Sequence, residues 1–334
     1  MRLLFTGATG FVGSHLVEAA TALPLGGLQP RTAPELRVLV RPTSDLSHLE
    51  GLDVERFTGQ LGDAASLREA TSGVDVVLHL AALTRAKTEE EFRAANETGT
   101  RSLLEAAVNA GSCRRFVYVS SLAAVGPAVE GRPVTASDPP RPLTAYGRSK
   151  LAGERACEEA AGDMDVLILR PPAVYGPRDK DLLTFFSLAA RGILPVPSGP
   201  PRPLQMIFVS DLAQAILAAA YAEDVHGIYH AADPKAFSWA EVLDLIARAV
   251  GKKGRRIPVP QSLLRIAGEV NGALGRAFGR PQIFDGDKVR ELLAPGWLCE
   301  TDRATKDLGF TAATPLGLGL RQTAEWYRKE GWLP

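Results

Sequence analysis

The chain is poor in the residues that usually mark a specialised class. Its 334 residues include three cysteines, three methionines and five histidines, and asparagine occurs only at 96, 109 and 271. Cys113, Cys157 and Cys299 lie far apart and follow no metal-ligand or disulfide spacing, so they read as reduced thiols and no metal site is expected. Lys+Arg and Asp+Glu both total 38, so the net charge is zero and the basic excess of a nucleic-acid binder is missing. No apolar run approaches the roughly 20 residues of a membrane-spanning helix. The start runs from strand to glycine turn at Gly7, without the apolar stretch and cleavage site of a signal peptide. These absences leave a cytoplasmic globular protein as the expectation, with a small-molecule partner, no nucleic acid and no membrane span. No internal repeat or low-complexity tract is visible.

What is present is a regular alternation. Apolar residues make up 46% of the chain and charged ones 23%, enough to bury a substantial core. Short runs rich in Val, Leu, Ile and Phe at 3–6, 37–40, 54–58, 76–80, 116–120 and 166–169 read as strands buried on both faces. Helical patterns at 12–21, 65–70, 89–110 and 146–161 separate them, which predicts an α/β fold with a parallel sheet. The stretch 23–34 carries three prolines and two glycines and reads as a surface insertion. After Arg170 prolines at 171, 172, 195, 197, 200 and 201 break the alternation. A strand near 206–209, a helix from Asp211 and a strand near 228–230 are expected to return to the sheet, and the rest forms a smaller, mostly helical cap. The implied division is an α/β sheet domain at 1–170 and 205–233, which the motifs below make dinucleotide-binding, with a cap at 171–204 and 234–334 left for the substrate.

Between the first strand and the first helix stands Thr6-Gly7-Ala8-Thr9-Gly10-Phe11-Val12-Gly13. Gly7 permits a tight turn, Gly10 lets a pyrophosphate approach the backbone, and Gly13 lets the helix pack close to the strand. The helix N-terminus offers free N–H groups and the positive end of its dipole to an anion, with Thr9, Phe11 and Val12 around it. At the end of the second strand an acidic residue would select NAD through the ribose hydroxyls. Arg41 stands there instead, with Ser44 nearby, which favours the 2′-phosphate of NADP over NAD.

Tyr146-Gly147-Arg148-Ser149-Lys150 is the only YxxxK in the chain. On a helix, positions four apart share a face, so the phenol and the ammonium can address one ligand. A phenol titrates near 10, and bringing it near neutrality takes about 4 kcal/mol, which an ammonium and an oxidised nicotinamide could supply together. The strand at 116–120 ends in Ser120-Ser121, where a hydroxyl could donate to a substrate carbonyl oxygen.

Taken in order, these motifs resemble the extended short-chain dehydrogenase/reductase family, nearer its hydroxysteroid dehydrogenase and ketone reductase branches. The likeness spans essentially the whole chain. It also rests on His79-Leu80-Ala81-Ala82, Asn96 with Gly99-Thr100, Arg170-Pro171-Pro172-Ala173-Val174-Tyr175-Gly176-Pro177 and Val209-Ser210-Asp211. The resemblance implies a Rossmann-type doubly wound sheet and a catalytic triad of Ser121, Tyr146 and Lys150, with Ser121 chosen by alignment on Gly126. It implies that Leu80, Ala81 and Ala82 line the dinucleotide, and that Pro171 and Val174 pack near the nicotinamide. Gln60 would stand beside the adenine where the family often has an Asp, and Leu61, Asn96 and Val119 join the cofactor-binding residues. It further implies a homodimer through the helices at 89–110 and 146–161. Leu122-Ala123, where dehydrating members carry acids, argues against dehydration, and Pro171-Pro172 occupies the region of the asparagine of galactose-type epimerases.

The segment 261–280 carries a broad apolar face with arginines at its edges. The plain expectation is a cap helix buried against its own domain; a lid over an apolar substrate, touching a membrane surface, is the other reading. Lys252-Lys253-Gly254-Arg255-Arg256 reads as a solvated loop. The expected function is hydride transfer between NAD(P)(H) and a secondary alcohol or ketone on a fairly apolar molecule. The rivals are a sugar-nucleotide 4-epimerase with retained NAD and a non-catalytic dinucleotide sensor.

Overall fold

The computed structural model describes residues 1–22, 33–278 and 284–334. The surface insertion read at 23–34 therefore lies almost wholly outside the described residues. The apolar runs form β1 (Arg2–Thr6), β2 (Glu35–Val40), β3 (Glu55–Thr58), β4 (Val76–His79), β5 (Arg115–Val119) and β6 (Asp165–Arg170). With Gly227–His230 they make a seven-stranded sheet ordered β3-β2-β1-β4-β5-β6 and then Gly227–His230. Every pairing in it is parallel.

Parallel strands need crossovers, and these place helices on both faces. The helices of this half are α1 (Phe11–Thr21), α2 (Ala64–Thr71), α3 (Glu89–Arg93), α4 (Gly99–Ala110), α5 (Leu122–Val125) and α6 (Ala145–Ala160). Alternate strand residues serve opposite layers. Leu3 and Phe5 pack with Leu16 and Val17 of α1 and with Ile216 of the helix Val209–Tyr221. Leu4 packs with Leu67, Leu104 and Cys157 on the other side. Each such buried side chain contributes about 1.5–3 kcal/mol. The order reverses between β1 and β4, and the crevice at their carboxyl ends is where a dinucleotide binds in such sheets.

Three elements differ from the sequence reading. The helix expected at 89–110 is divided by a π turn, Ala94–Thr98, whose extra residue per turn re-aims Asn96 inward. Met206–Phe208 pairs with Ala173–Tyr175 outside the main sheet, because Gly227–His230 takes the free edge of β6. In the cap, Phe186, Leu243, Ile246, Leu320 and Tyr327 form a separate core. Ala304, Leu308 and Phe310 join the main core instead, so the chain near 302–310 packs on the dinucleotide side of the division drawn from sequence.

The expectation of a buried cap helix at 261–280 is also corrected. In Gln261–Ala277 the inward positions include Gly268, Gly272 and Gly275, while Leu263, Ile266, Val270 and Leu274 face solvent. Glycines let this helix approach Gly286–Leu292 closely: a Cβ at Gly268 would lie 2.7 Å from Val289 Cγ2.

Candidate active site

The turn after β1 is built so that only glycine fits. Gly7 has φ +75° and a Cβ there would lie 2.7 Å from Ala81 N; one at Gly13 would lie 2.0 Å from Gly7 O. Gly10 caps α1 with no side-chain partner, so the helix's first N–H groups stay open toward the crevice. Thr9, Phe11 and Val12 are half-buried around it. This cradle fits a pyrophosphate, which needs close backbone approach and free N–H donors.

Arg41 lies exposed just beyond β2, and among the described residues its guanidinium makes no hydrogen bond. Ser44 Oγ accepts from Arg41 N at 3.1 Å, which fixes the turn rather than the guanidinium. Gln60 is exposed just beyond β3 and Leu61 half-buried. Leu80, Ala81 and Ala82 are half-buried beyond β4, held by Leu80 N donating to Thr6 O at 3.1 Å and Ala81 N to Thr6 Oγ1 at 3.2 Å. Asn96 has no exposed surface. Its Nδ2 donates to Leu83 O and Ser149 Oγ, both at 2.9 Å, and its Oδ1 accepts from Leu83 N at 2.7 Å. It therefore ties the loop after β4 to α6.

The acid–base groups sit on α5 and α6. Pro139, Pro140 and Pro142 keep the chain from helix until Thr144, whose Oγ1 accepts from Gly147 N at 3.1 Å and caps α6. Tyr146 is in the first turn, half-buried, its ring 6.1 Å from that of Phe92. Ser121 caps α5, accepting from Ala123 N at 3.1 Å, and its hydroxyl stands close enough to the Tyr146 phenol to favour its ionised form. Leu122 N donates to Pro171 O at 2.8 Å, which pins α5 to the segment leaving β6. Val119 and Val174 are half-buried on either side.

Burial pushes the Tyr146 phenol up to about 12; Ser121 opposes this, while Glu291 and Asp181 add to it. Lys150, one turn on, is 2% exposed, and its ammonium lies 4.1 Å from the centroid of the Tyr118 ring. Burial draws the ammonium down to about 7, against the raising influence of Glu154.

Behind the triad lies a buried set that the sequence reading passed over. Ser120 Oγ donates to Glu154 Oε1 at 2.5 Å, and Arg170 donates to both Glu154 oxygens at 2.8 and 2.6 Å. Glu154 follows Tyr146 and Lys150 at the same four-residue step along α6, and that spacing was the available signal. From the cap, Asp287 Oδ2 accepts from Ala145 N at 3.0 Å and Glu291 Oε1 from Thr144 Oγ1 at 3.3 Å, so two carboxylates hold the start of α6. Nothing in the local pattern announces those long-range contacts.

A glycine cradle at the switch point of a Rossmann sheet, beside a tyrosine and a lysine on one helix face, defines the class: a nicotinamide-dependent enzyme of the short-chain dehydrogenase type. Residues 3–232 match the NAD dependent epimerase/dehydratase family. The chain belongs to that family, within the extended short-chain dehydrogenase/reductases. It is 38% identical over 332 residues to a ceramide reductase of Caulobacter vibrioides, covering 98% of this chain and 95% of that one. It is 29% identical to sterol demethylase protein B of Methylococcus capsulatus, covering all of both chains. The solved structure of MoeE5 with UDP-glucuronic acid and NAD superposes with a TM-score of 0.74, at 27% identity over 99% of this chain and 100% of that one. The chain is thus similar both to a protein named as a reductase and to one solved with a UDP-sugar and NAD.

Proposed function

We propose that the protein reduces a ketone, or oxidises the corresponding secondary alcohol, on a large apolar molecule such as a lipid. The observation that carries this reading is the Ser121 hydroxyl beside the Tyr146 phenol, with buried Lys150 one turn along the same helix. When bound, the nicotinamide supplies or takes up the hydride at the carbonyl carbon. Tyr146 would give its proton to the carbonyl oxygen, and Ser121 would donate a hydrogen bond to the same oxygen. Lys150 would hold the ribose hydroxyls and favour the ionised phenol. Ceramide and sterol, which name two of the relatives, are both apolar lipids, and this supports an apolar substrate.

Arg41 favours NADP(H): a charge-assisted contact with the 2′-phosphate is worth about 1.5–3 kcal/mol, roughly a 10- to 150-fold preference over NAD(H). Arg41→Ala should erase most of that preference in kcat/KM, and a wild-type enzyme preferring NADH would defeat the assignment. The buried free thiols Cys113, Cys157 and Cys299 suit the reducing cytoplasm. A homodimer through α4 and α6 is the assembly the family resemblance suggests.

The test is NAD(P)H consumption with long-chain keto lipids, ketosteroids and aryl ketones. Tyr146→Phe should lower kcat by about a thousandfold or more with cofactor still bound; retained turnover would remove Tyr146 from this role. A 4-epimerase is the second reading, favoured by the likeness to MoeE5 with its UDP-sugar and NAD. Conversion of a UDP-sugar without added cofactor, and no ketone reduction, would establish it instead.

A further inference from the structure

The helix Gln261–Ala277 packs with the wrong side for an ordinary cap helix. Leu263, Ile266, Val270 and Leu274 are 56%, 61%, 55% and 48% exposed, and Phe278 just beyond them 76%. Their spacing of three, four, four and four puts all five on one helical face. Its inward face is glycine, held by Asn271 Nδ2 donating to Phe284 O at 2.5 Å and by the close approach of Gly268 to Val289. The helix is thus seated through its glycines and Asn271, while the large side chains of its outer face stay about half or more exposed. An apolar stripe of this kind on a folded protein marks a surface that something else covers.

Charge identifies the occupant. In a chain of zero net charge, residues 252–278 hold six basic side chains (Lys252, Lys253, Arg255, Arg256, Arg265, Arg276) and one acidic, Glu269, and of the six Arg256 is paired with Asp244. Lys252, Lys253 and Arg255 are exposed on the segment that leads into the helix, and Arg265 is exposed within it. Ile257 adds apolar surface at the entry, 42% exposed. A second copy of this chain would bring the same positive charge against itself, whereas an anionic bilayer offers acyl chains for the stripe and phosphates for the bases. We propose that this helix is an interfacial anchor that lays the cap on an anionic membrane surface.

The anchor is one helix away from the reacting groups. It seats on Gly286–Leu292, whose Asp287 and Glu291 hold Ala145 N and Thr144 Oγ1 at the start of α6, next to Tyr146. Docking would therefore hold the start of α6, beside Tyr146, near the surface where a lipid ketone resides. That consequence rests on the reductase reading above; the docking does not.

Co-sedimentation with phosphatidylcholine vesicles containing half phosphatidylglycerol, against pure phosphatidylcholine, tests it. The wild-type protein should pellet with the anionic vesicles and much less with the neutral ones, and raising salt should weaken the binding. Ile266→Asp with Val270→Asp should lower partitioning about tenfold or more while leaving the melting temperature and reduction of a water-soluble aryl ketone unchanged. Should that variant fold poorly, Lys252→Glu with Lys253→Glu should lose only the anionic preference. No wild-type binding to anionic vesicles overturns the proposal. So does an oligomer that the Asp variant breaks into monomers without vesicles, which would give the stripe to a second copy. Vesicle binding without any ketone reduction would keep the anchor and remove the reductase reading; the converse would do the opposite.

Discussion

Ser120 and Ser121 are neighbours in sequence, yet their hydroxyls face different tasks, and substitution should separate them. Ser121 meets the phenol of Tyr146, whereas Ser120 donates into the buried Glu154–Arg170 pair. Ser121→Ala should lower kcat by about a hundredfold, the order of one lost donor to a developing oxyanion. Losing its cap on α5 adds about 1 kcal/mol of destabilisation. Ser120→Ala should instead cost about 1–3 kcal/mol of stability, the penalty of a buried partner left unmet, with kcat largely kept. Rate measurements paired with urea melts check both; a large kcat loss for Ser120→Ala would shift the catalytic hydroxyl by one residue. The Glu154–Arg170 pair has side chains 1% and 2% exposed at 2.6 Å. Glu154→Ala leaves the guanidinium buried without its partner and should cost about 3–5 kcal/mol by the same melts.

At the scale of elements, the turn from β1 to α1 is the least tolerant part of the site. Gly13→Ala would push a methyl to 2.0 Å from Gly7 O, and backbone cannot yield as a side-chain tip does. Cofactor affinity, read by fluorescence titration with NADPH, should fall at least about tenfold, because α1 must then move off the anion it faces. An unchanged Kd would mean that the pyrophosphate lies elsewhere. This element was legible in the sequence because its requirements are local: three glycines, a preceding strand and a following apolar helix. The strands β1 to β6 were legible for the same reason, each being a short run and all but the β2–β3 link carrying an α-helix between them. What was hidden depended on partners far along the chain. Met206–Phe208 has the composition of a sheet strand, and only the occupancy of the β6 edge sends it to Ala173–Tyr175. The apolar stripe of Gln261–Ala277 has the periodicity of a buried helix, and periodicity cannot say which face finds a neighbour. The bonds of Asn96 were hidden too, because its π turn, which aims the amide at Leu83 and Ser149, leaves no mark in the spacing.

The whole molecule carries an acid-sensitive link through its centre. His79 is fully buried; its Nδ1 lies 2.6 Å from Thr6 Oγ1 and its Nε2 2.9 Å from Thr100 Oγ1. Thr100 already donates to Asn96 O at 2.8 Å, so Nε2 carries the proton and Nδ1 accepts from Thr6. Burial and the Lys150 charge hold the ring neutral, down to about 3 from 6.5. The unfolded chain takes up a proton below 6.5 that the folded protein refuses, so stability falls as pH drops through that window toward 3. At pH 5 the loss from His79 amounts to about 2 kcal/mol. His230, drawn down to about 4 by burial and Arg170, adds in the same direction. Asp179 runs the other way: burial holds its carboxyl up to about 7 from 3.8, so the folded state binds the extra proton and stability falls as pH rises between those values. The net slope therefore mixes signs, and a variant is needed to isolate the histidine. His79→Gln should be less stable than wild type at pH 7.5, since it loses the ring that joins β1, β4 and α4. By pH 5 the gap in urea-unfolding free energy should narrow by about 2 kcal/mol, because glutamine has no proton to refuse. Parallel curves from pH 7.5 to 5 would show that His79 does not control the acid limb, and that the bonds Thr6 Oγ1 makes to His79 and Ala81 are not its acid-sensitive point.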